Sequence, residues 1–492
     1  MKKYNIVWFC ADQLRWDAIS GNGNPHIHTP NIDRLMQTGT SFDRAYSQSP
    51  VCTPSRASFL TGRYPKSCRS SVNGNQFFSK DETLVTKMLQ NNGYVCGLSG
   101  KLHLTSMGAR DHQENRTDDG YTFFQWADNG MDLHAPGVNN YMDWLVDKGV
   151  NWADVYDAPV KGYWPPKGNY PIPSRIKGMP DELHQTTWCV EKGMEFIQQS
   201  IEEKPDRPWC ISLNPYAPHP PFDPPVEFRN RLKAEDMPLP LWKDGELDRK
   251  PQAQKDSYYK GAQSGMLRSA VGLTDSEKRE NVLEYYALVE HLDYQLGRLI
   301  DYLEQTGQRE NTIIMFMSDH GECLGDHGLY WKGGFFYEGN VHVPLVFSCP
   351  GLIQEGLRSS ALVELMDVAP TVLELNGLPV PQYMQAMSLA GILTGKQDPA
   401  YHKNCVYAEY YYSVLMSNKV YATMYFDGRY KMIVHHDDPI SELYDLEKDP
   451  CEYDNLWGNP EYKDLCFEFY QKCFNHAILA NEDTVLGEKA VW

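Results

Sequence analysis

No apolar run in this chain comes near the ~20 residues that span a bilayer, so no membrane-crossing helix is expected. No separate leader is expected in the sequence as given either. Met1-Lys2-Lys3-Tyr4 leads straight into the apolar stretch 6–11, which leaves no room for a signal peptide and makes the cytoplasm the expected compartment. The 12 cysteines have neither a disulfide framework nor zinc-ligand spacing. Several, including Cys10, Cys210 and Cys349, fall inside strand-like runs, which predicts buried free thiols. Positive charge is in deficit: 46 Lys and Arg stand against 65 Asp and Glu, a formal net charge of -19. A field of that sign repels polyanions, so nucleic acid is not an expected partner. One anionic group in a locally positive pocket remains compatible with it. There is no internal repeat or low-complexity tract, which excludes solenoid and linker-rich architectures.

What is present is an ordinary globular composition, 41% hydrophobic and 23% charged, in 492 residues. That length exceeds what one core usually serves and predicts two domains. Short apolar runs at 5–10, 95–98, 209–213, 312–317 and 344–348 read as buried strands. Helical spacing occupies 83–92, 182–202 and 276–305, where Leu292, Leu296, Leu299, Ile300 and Leu303 recur. Such alternation predicts an α/β domain, a mostly parallel sheet sandwiched by helices, over 1–398. Beyond it, the runs 406–412, 420–426 and 430–435, with Asp427-Gly428 as a hairpin turn, predict a small antiparallel sheet domain over 399–492. Two aperiodic stretches, 132–180 and 229–275, read as surface loops. The first holds Trp164, Pro165, Pro166, Arg175 and Lys177, which either wall a sugar subsite or serve packing.

Ligands of parallel sheets bind at the carboxyl ends of strands. Two of the expected strands end there in Asp12-Gln13 and Asp319-His320, an oxygen-rich set with one imidazole that suits a divalent cation. Each residue alone has a plainer explanation, Asp12 as a helix cap and His320 as a strand end. The stretch Cys52-Thr53-Pro54-Ser55-Arg56-Ala57-Ser58-Phe59-Leu60-Thr61-Gly62-Arg63 changes that balance, because six of its residues stand at specified offsets.

This stretch resembles the signature of type I, formylglycine-dependent sulfatases of the alkaline phosphatase superfamily. The likeness extends to Tyr46-Ser47-Gln48-Ser49-Pro50, Gly100-Lys101-Leu102-His103, Pro218-His219-Pro220-Pro221-Phe222, the run from Asp319 to Lys332, Val343-Pro344-Leu345 and Glu442-Leu443-Tyr444-Asp445-Leu446. It implies an alkaline-phosphatase-like α/β domain with a small carboxyl-terminal sheet. It also implies that a maturation enzyme oxidises Cys52 to formylglycine, whose hydrate attacks the sulfur of a sulfate ester of a small molecule or saccharide. Asp12, Gln13, Asp319 and His320, together with the modified Cys52, would hold one divalent metal, calcium first and manganese as the alternative that the imidazole favours. Arg56, Lys101 and Lys332 would screen sulfate charge, Arg56 also orienting the nucleophile loop. His219, with Lys332, would protonate the leaving oxygen, and His103 would take a proton from the second hydroxyl of the hydrate so that the sulfated hemiacetal collapses and the aldehyde is regenerated. His327 is assigned a structural role. Gln13 and His320 stand where many sulfatases have Asp and Asn. That departure resembles the branch containing phosphonate monoester hydrolases and choline sulfatases as well as many bacterial sulfatases, so a phosphonate monoester or phosphodiester substrate is the alternative activity. A non-catalytic anion- or carbohydrate-binding protein with an unconverted Cys52 is the third. The oligomeric state is left open.

Overall fold

The computed structural model describes residues 2–106, 112–128, 137–150, 180–261, 269–414 and 419–480. Strand β1 (Asn5–Ala11) lies at the centre of an eight-stranded sheet with β2 (Thr40–Phe42), β4 (Val95–Gly100), β5 (Phe123–Trp126), β6 (Trp209–Asn214), β7 (Thr312–Ser318), β8 (Leu345–Ser348) and β9 (Leu357–Ser359). A two-residue strand, β3 (Ala45–Tyr46), pairs outside this sheet with β10 (Val363–Glu364). The order in the large sheet is β5-β4-β6-β1-β7-β8-β2-β9. All neighbours run parallel except β8, which is antiparallel to both β7 and β2.

Alternation along β1 shows why the sheet is covered on both faces. Val7, Phe9 and Ala11 enter one core cluster and Ile6, Trp8 and Cys10 enter the other. The helices Gln185–Glu203 and Asp275–Gln305 close the first face with Trp188, Ile197, Leu292, Leu296 and Leu299. The second face receives Ala57, Phe59 and Leu60 from the helix Cys52–Thr61 and Leu89 from Val85–Asn91. The 31-residue helix Asp275–Gln305 starts where the sequence predicts, because Thr274 and Glu277 form a reciprocal capping box.

After the main sheet come β11 (Val406–Tyr411), β12 (Tyr421–Phe426), β13 (Tyr430–His436) and β14 (Glu442–Asp445), antiparallel in that order. The helix Lys463–Leu479 packs on them through Cys466, Phe469 and Cys473. All 12 cysteines are free thiols, only Cys405 and Cys451 reaching partial exposure. Among the described residues no helix is long and apolar enough to cross a membrane.

Two local expectations need correction. The stretch 229–275 is not merely a surface loop: it carries the helix Gln252–Lys260 and buries Lys250 and Gln254 completely. It shows no apolar period because the polar Glu246, Lys250, Gln254 and Asp256 are buried alongside scattered apolar residues such as Met237 and Leu247, with Gln254 accepting from Tyr337 and Lys250 donating to Tyr444. Within 132–180, Asn140–Asp147 is a helix capped by Asn139, with Tyr141, Met142 and Leu145 buried; residues 151–179 lie outside the described residues.

Gly100 ends β4 with φ +101°, and an added Cβ would lie 2.1 Å from the Asn214 carbonyl oxygen, the atom that accepts from the Lys101 N–H at 2.9 Å. Only glycine combines that backbone angle with that contact. Gly100→Ala is therefore expected to cost about 2–4 kcal/mol in denaturant unfolding; parent-like stability would show that the turn yields to a side chain.

Candidate active site

Four adjacent strands, β4-β6-β1-β7, deliver their carboxyl ends to one edge of the sheet. Strands at ~4.8 Å spacing bring residues far apart in the chain within side-chain reach of one another. Lys101 follows β4, His219 stands five residues beyond β6, Asp12 and Gln13 follow β1, and Asp319 and His320 follow β7. Cys52 enters from above as the first residue of its helix. The hydroxyls of Ser47 and Ser55 tie that segment down by donating to the Asp319 carbonyl at 2.7 and 2.6 Å.

The side chains converge on Cys52. Its Sγ lies 2.8 Å from Lys332 Nζ, 3.1 Å from His320 Nε2, 3.5 Å from Lys101 Nζ and 3.7 Å from Asp12 Oδ1. Lys101 Nζ donates to Asp12 Oδ2 at 2.6 Å. Arg56 spends its donors behind this ring: Nε on Asp319 Oδ2 at 2.8 Å and Nη1 on the Lys101 carbonyl at 3.0 Å, with Nη2 3.6 Å from Asp12.

Charge follows from these contacts. Burial alone would raise the Asp12 carboxyl, but Lys101, His219, Lys332 and Arg56 hold it well below its ordinary value. Burial and Asp12 push the Cys52 thiol up, and Lys101, Lys332 and His320 outweigh them so that it sits below an ordinary cysteine. His320 titrates higher than usual, because Asp319 and Cys52 overcome the burial that would lower it. His219 is held far down, first by burial and then by Lys332. Its Nδ1 faces the Pro220 carbonyl at 2.5 Å, and its Nε2 faces the indole Nε1 of Trp331 at 3.4 Å. A carbonyl only accepts and an indole only donates, so the resting ring carries its proton on Nδ1 and presents a lone pair at Nε2.

Gln13 sits at φ 73°, fully buried, its Oε1 accepting from Lys332 Nζ at 3.0 Å and its amide NH2 donating to Glu322. Asp12, Cys52, Asp319 and His320 each offer a donor atom, and these atoms lie within 4.8 Å of one another. Two carboxylates and an imidazole, all out of water, with an amide oxygen directed at the same lysine, fit a divalent cation that accepts oxygen and nitrogen ligands. His103 stands at φ 56°, its ring buried among the same cations and Nδ1 without a hydrogen-bond partner among the described residues. His327 pairs with Glu246 at 2.7 Å and stacks on Tyr337 at 4.0 Å, as its structural assignment anticipates. Trp164, Pro165, Pro166, Arg175 and Lys177 lie outside the described residues.

Sequence inspection missed three residues. Glu322 belongs to the conspicuous run after Asp319, so its place beside two ligand candidates was a usable signal. Trp331, which meets His219, has the weaker signal of adjoining Lys332. Glu114 has none: it lies 11 residues past His103 in aperiodic chain, yet accepts the N–H groups of His103 at 2.7 Å, Leu104 at 3.3 Å and the Trp126 indole at 3.2 Å.

Comparison with known proteins places this geometry. The family model described as Sulfatase matches residues 4–378, and one described as N-sulphoglucosamine sulphohydrolase, C-terminal, matches residues 325–477. The chain is 28% identical to an arylsulfatase of Clostridium perfringens, over 94% of this chain and 92% of that one. It is 29% identical to an N-acetylglucosamine-6-O-sulfatase of Bacteroides thetaiotaomicron, over 94% and 84%. In fold it is similar to the phosphonate monoester hydrolase of Silicibacter pomeroyi, with a TM-score of 0.79 at 23% identity over 99% and 97% of the two chains.

Glu114 generates a prediction about pH. Burial pushes its carboxyl up to about 7 despite three N–H donors. The folded value lies above that of an exposed glutamate, ~4.3, so the fold favours the protonated form. That contribution is complete below about pH 4 and is lost as pH rises through about 7. Glu114→Gln should remove the dependence, gaining about 2–3 kcal/mol relative to the parent between pH ~5 and ~8 in urea unfolding. Parallel stability curves for the two proteins would refute it.

Proposed function

Because the chain belongs to the sulfatase family and is a sulfuric ester hydrolase, we propose that it cleaves a sulfate monoester of a sugar or an aryl alcohol, Cys52 being the source of a formylglycine nucleophile and Asp12, Gln13, Asp319 and His320 the holders of one divalent cation. The observation that carries this is the convergence of Lys332, His320, Lys101 and Asp12 on Cys52 Sγ, which stands in for an oxygen of the aldehyde hydrate. The arylsulfatase and N-acetylglucosamine-6-O-sulfatase likenesses support the two substrate classes.

Sulfate monoesters resist hydrolysis because their anionic oxygens repel nucleophiles and the ester oxygen leaves poorly. When bound, the cation and the modified residue supply a Lewis acid and a hydroxyl nucleophile. Lys101 and Lys332, buried and pointed at Cys52, screen charge on the sulfuryl group that all substrates share. Arg56 keeps Asp319 and the Lys101 main chain in register from behind. His103, neutral by burial and by its cationic neighbours, is placed to accept the proton of the modified residue's second hydroxyl, the one whose loss lets sulfate leave position 52. His219 keeps its Nδ1–H on the Pro220 carbonyl and accepts the long Trp331 indole N–H at Nε2, so protonation at Nε2 displaces the indole and frees an Nε2–H for the leaving oxygen. An arriving anion favours that protonation, and His219 then serves the leaving oxygen.

Gln13 and His320 favour a second reading, hydrolysis of a phosphonate monoester, because the tetrahedral centres are alike and differ in charge. Rates on a sulfate and a phosphonate monoester, measured side by side, decide between them. Active protein should carry an aldehyde at position 52, seen by peptide mass and by carbonyl reagents. Cys52→Ala and Asp12→Ala should each lose turnover by at least about 10³-fold, the latter with its cation. Full activity in the first variant, or fully active protein free of divalent metal, would overturn the proposal. The acid has its own test. His219→Ala should slow an alkyl or sugar sulfate far more than a nitrophenyl sulfate, whose phenolate departs unaided. In the parent, kcat/KM for the poor leaving group should rise toward acid, since the free enzyme's His219 is held neutral. Equal losses across a leaving-group series would move His219 to sulfate binding.

A further inference from the structure

Glu322 takes no part in the chemistry above, yet it is 1% exposed two residues beyond His320. Donors surround it. Oε1 accepts the N–H of Leu324 at 3.0 Å and the N–H of Trp331, and Oε2 accepts the amide NH2 of Gln13. Arg15 fixes the main chain around it, donating to the carbonyls of Glu322 at 3.2 Å and Cys323 at 3.3 Å and to Asp326 at 2.7 Å. Every group that meets these two oxygens is an N–H donor, so toward Leu324, Trp331 and Gln13 the side chain can only accept.

A primary amide has two nearly isosteric ends of opposite character, and only its neighbours decide which way it faces. Gln13 is fully buried, so water has no say. Glu322 takes the NH2 end, and Lys332, a donor only, takes the oxygen at 3.0 Å. Both choices trace to one carboxylate, because Glu322 also pins the N–H of Trp331, the residue before Lys332. Turned the other way, Gln13 would offer N–H groups to the cation.

We propose that Glu322 is a positioning residue that sets the amide of Gln13, so that its carbonyl oxygen and not its NH2 faces the divalent cation. This rests on Gln13 being a ligand, as proposed above. The substitution Glu322→Gln gives a directed outcome. The N–H groups of Leu324 and Trp331 both require an acceptor at Oε1, so the new amide must turn its NH2 to Gln13. Gln13 would then flip.

The test is calorimetric titration of metal-stripped protein with Ca2+ and, separately, Mn2+, with unfolding of the apo proteins as the check on folding. Glu322→Gln and Gln13→Ala should each raise Kd about 10-fold or more. The double variant should bind no more weakly than Gln13→Ala, because without the amide Glu322 has nothing to orient. The exchange Gln13→Glu with Glu322→Gln keeps the charge count and gives position 13 two equivalent oxygens, so it should return Kd to within about threefold of the parent. Parent-like affinity in Glu322→Gln, or losses that multiply in the double variant, overturn the proposal. If Glu322→Gln alone does not fold, the exchange variant decides, and affinity no better than that of Gln13→Ala overturns it. A parent that binds neither ion marks failure of the cation site itself. Gln13→Ala binding like the parent marks failure of Gln13 as a ligand, and with it of this proposal. Weak binding by Gln13→Ala beside parent-like Glu322→Gln marks failure of this proposal alone.

Discussion

Asp12 and Asp319 are carboxylates with no access to water, and the arrangement of this site follows from how they are partnered. Charges removed from water are costly unless partnered in good geometry, and removing one partner costs more than the pair contributes. Lys101 meets Asp12, Arg56 meets both carboxylates, and Lys332 stands between Gln13 and Cys52. Each cation is itself buried, so each depends on the carboxylates in return. The result is a small charged cluster whose members hold their positions mutually, with a nucleophile candidate at its centre.

The fold exists around this cluster in a specific sense. Parallel strands end on the same side, and the four neighbours β4, β6, β1 and β7 supply the residues at their carboxyl ends. The small second sheet contributes by holding loops. Lys431 on β13 donates to the Phe336 carbonyl at 3.1 Å and pairs with Glu338 and Glu452, gripping the segment that follows Lys332. The Asn73 N–H donates to the Ser413 carbonyl at 2.8 Å, and its side chain accepts the N–H of Thr53, next to Cys52. Loops on both flanks of the site are thus braced from the carboxyl-terminal part of the chain. Rigid support of this kind is what a preorganised electrostatic site requires.

Polarity is graded across the site. On its deep side Arg56 and Glu114 bind main chain and carboxylate and leave little freedom. On the other side His219 and Trp331 meet edge to face at 5.8 Å, the imidazole free to gain a proton at Nε2. Groups that hold the main chain and the carboxylates in place are locked, and the group that must change its protonation has one weakly held face.

Strand and helix positions were legible in the chain because their burial is apolar and periodic: Val7, Phe9 and Ala11 alternate with Ile6, Trp8 and Cys10, and leucines recur along Asp275–Gln305. The residues brought to Cys52 were also legible, because they fall at strand ends or inside motifs with fixed offsets. Gln252–Lys260 was not legible, since its buried face is polar and polar burial leaves no period. Nor was the orientation of any side chain. That Arg56 lies behind the carboxylates, that Glu114 holds the His103 main chain and that Glu322 faces Gln13 depends on contacts between residues as many as 309 positions apart. The chain by itself specified which chemical groups are present and which strand ends carry them, because local pattern is a property of neighbours in sequence. Only the tertiary structure decided which donor meets which acceptor, because in a buried polar cluster each partner is chosen by all the others at once.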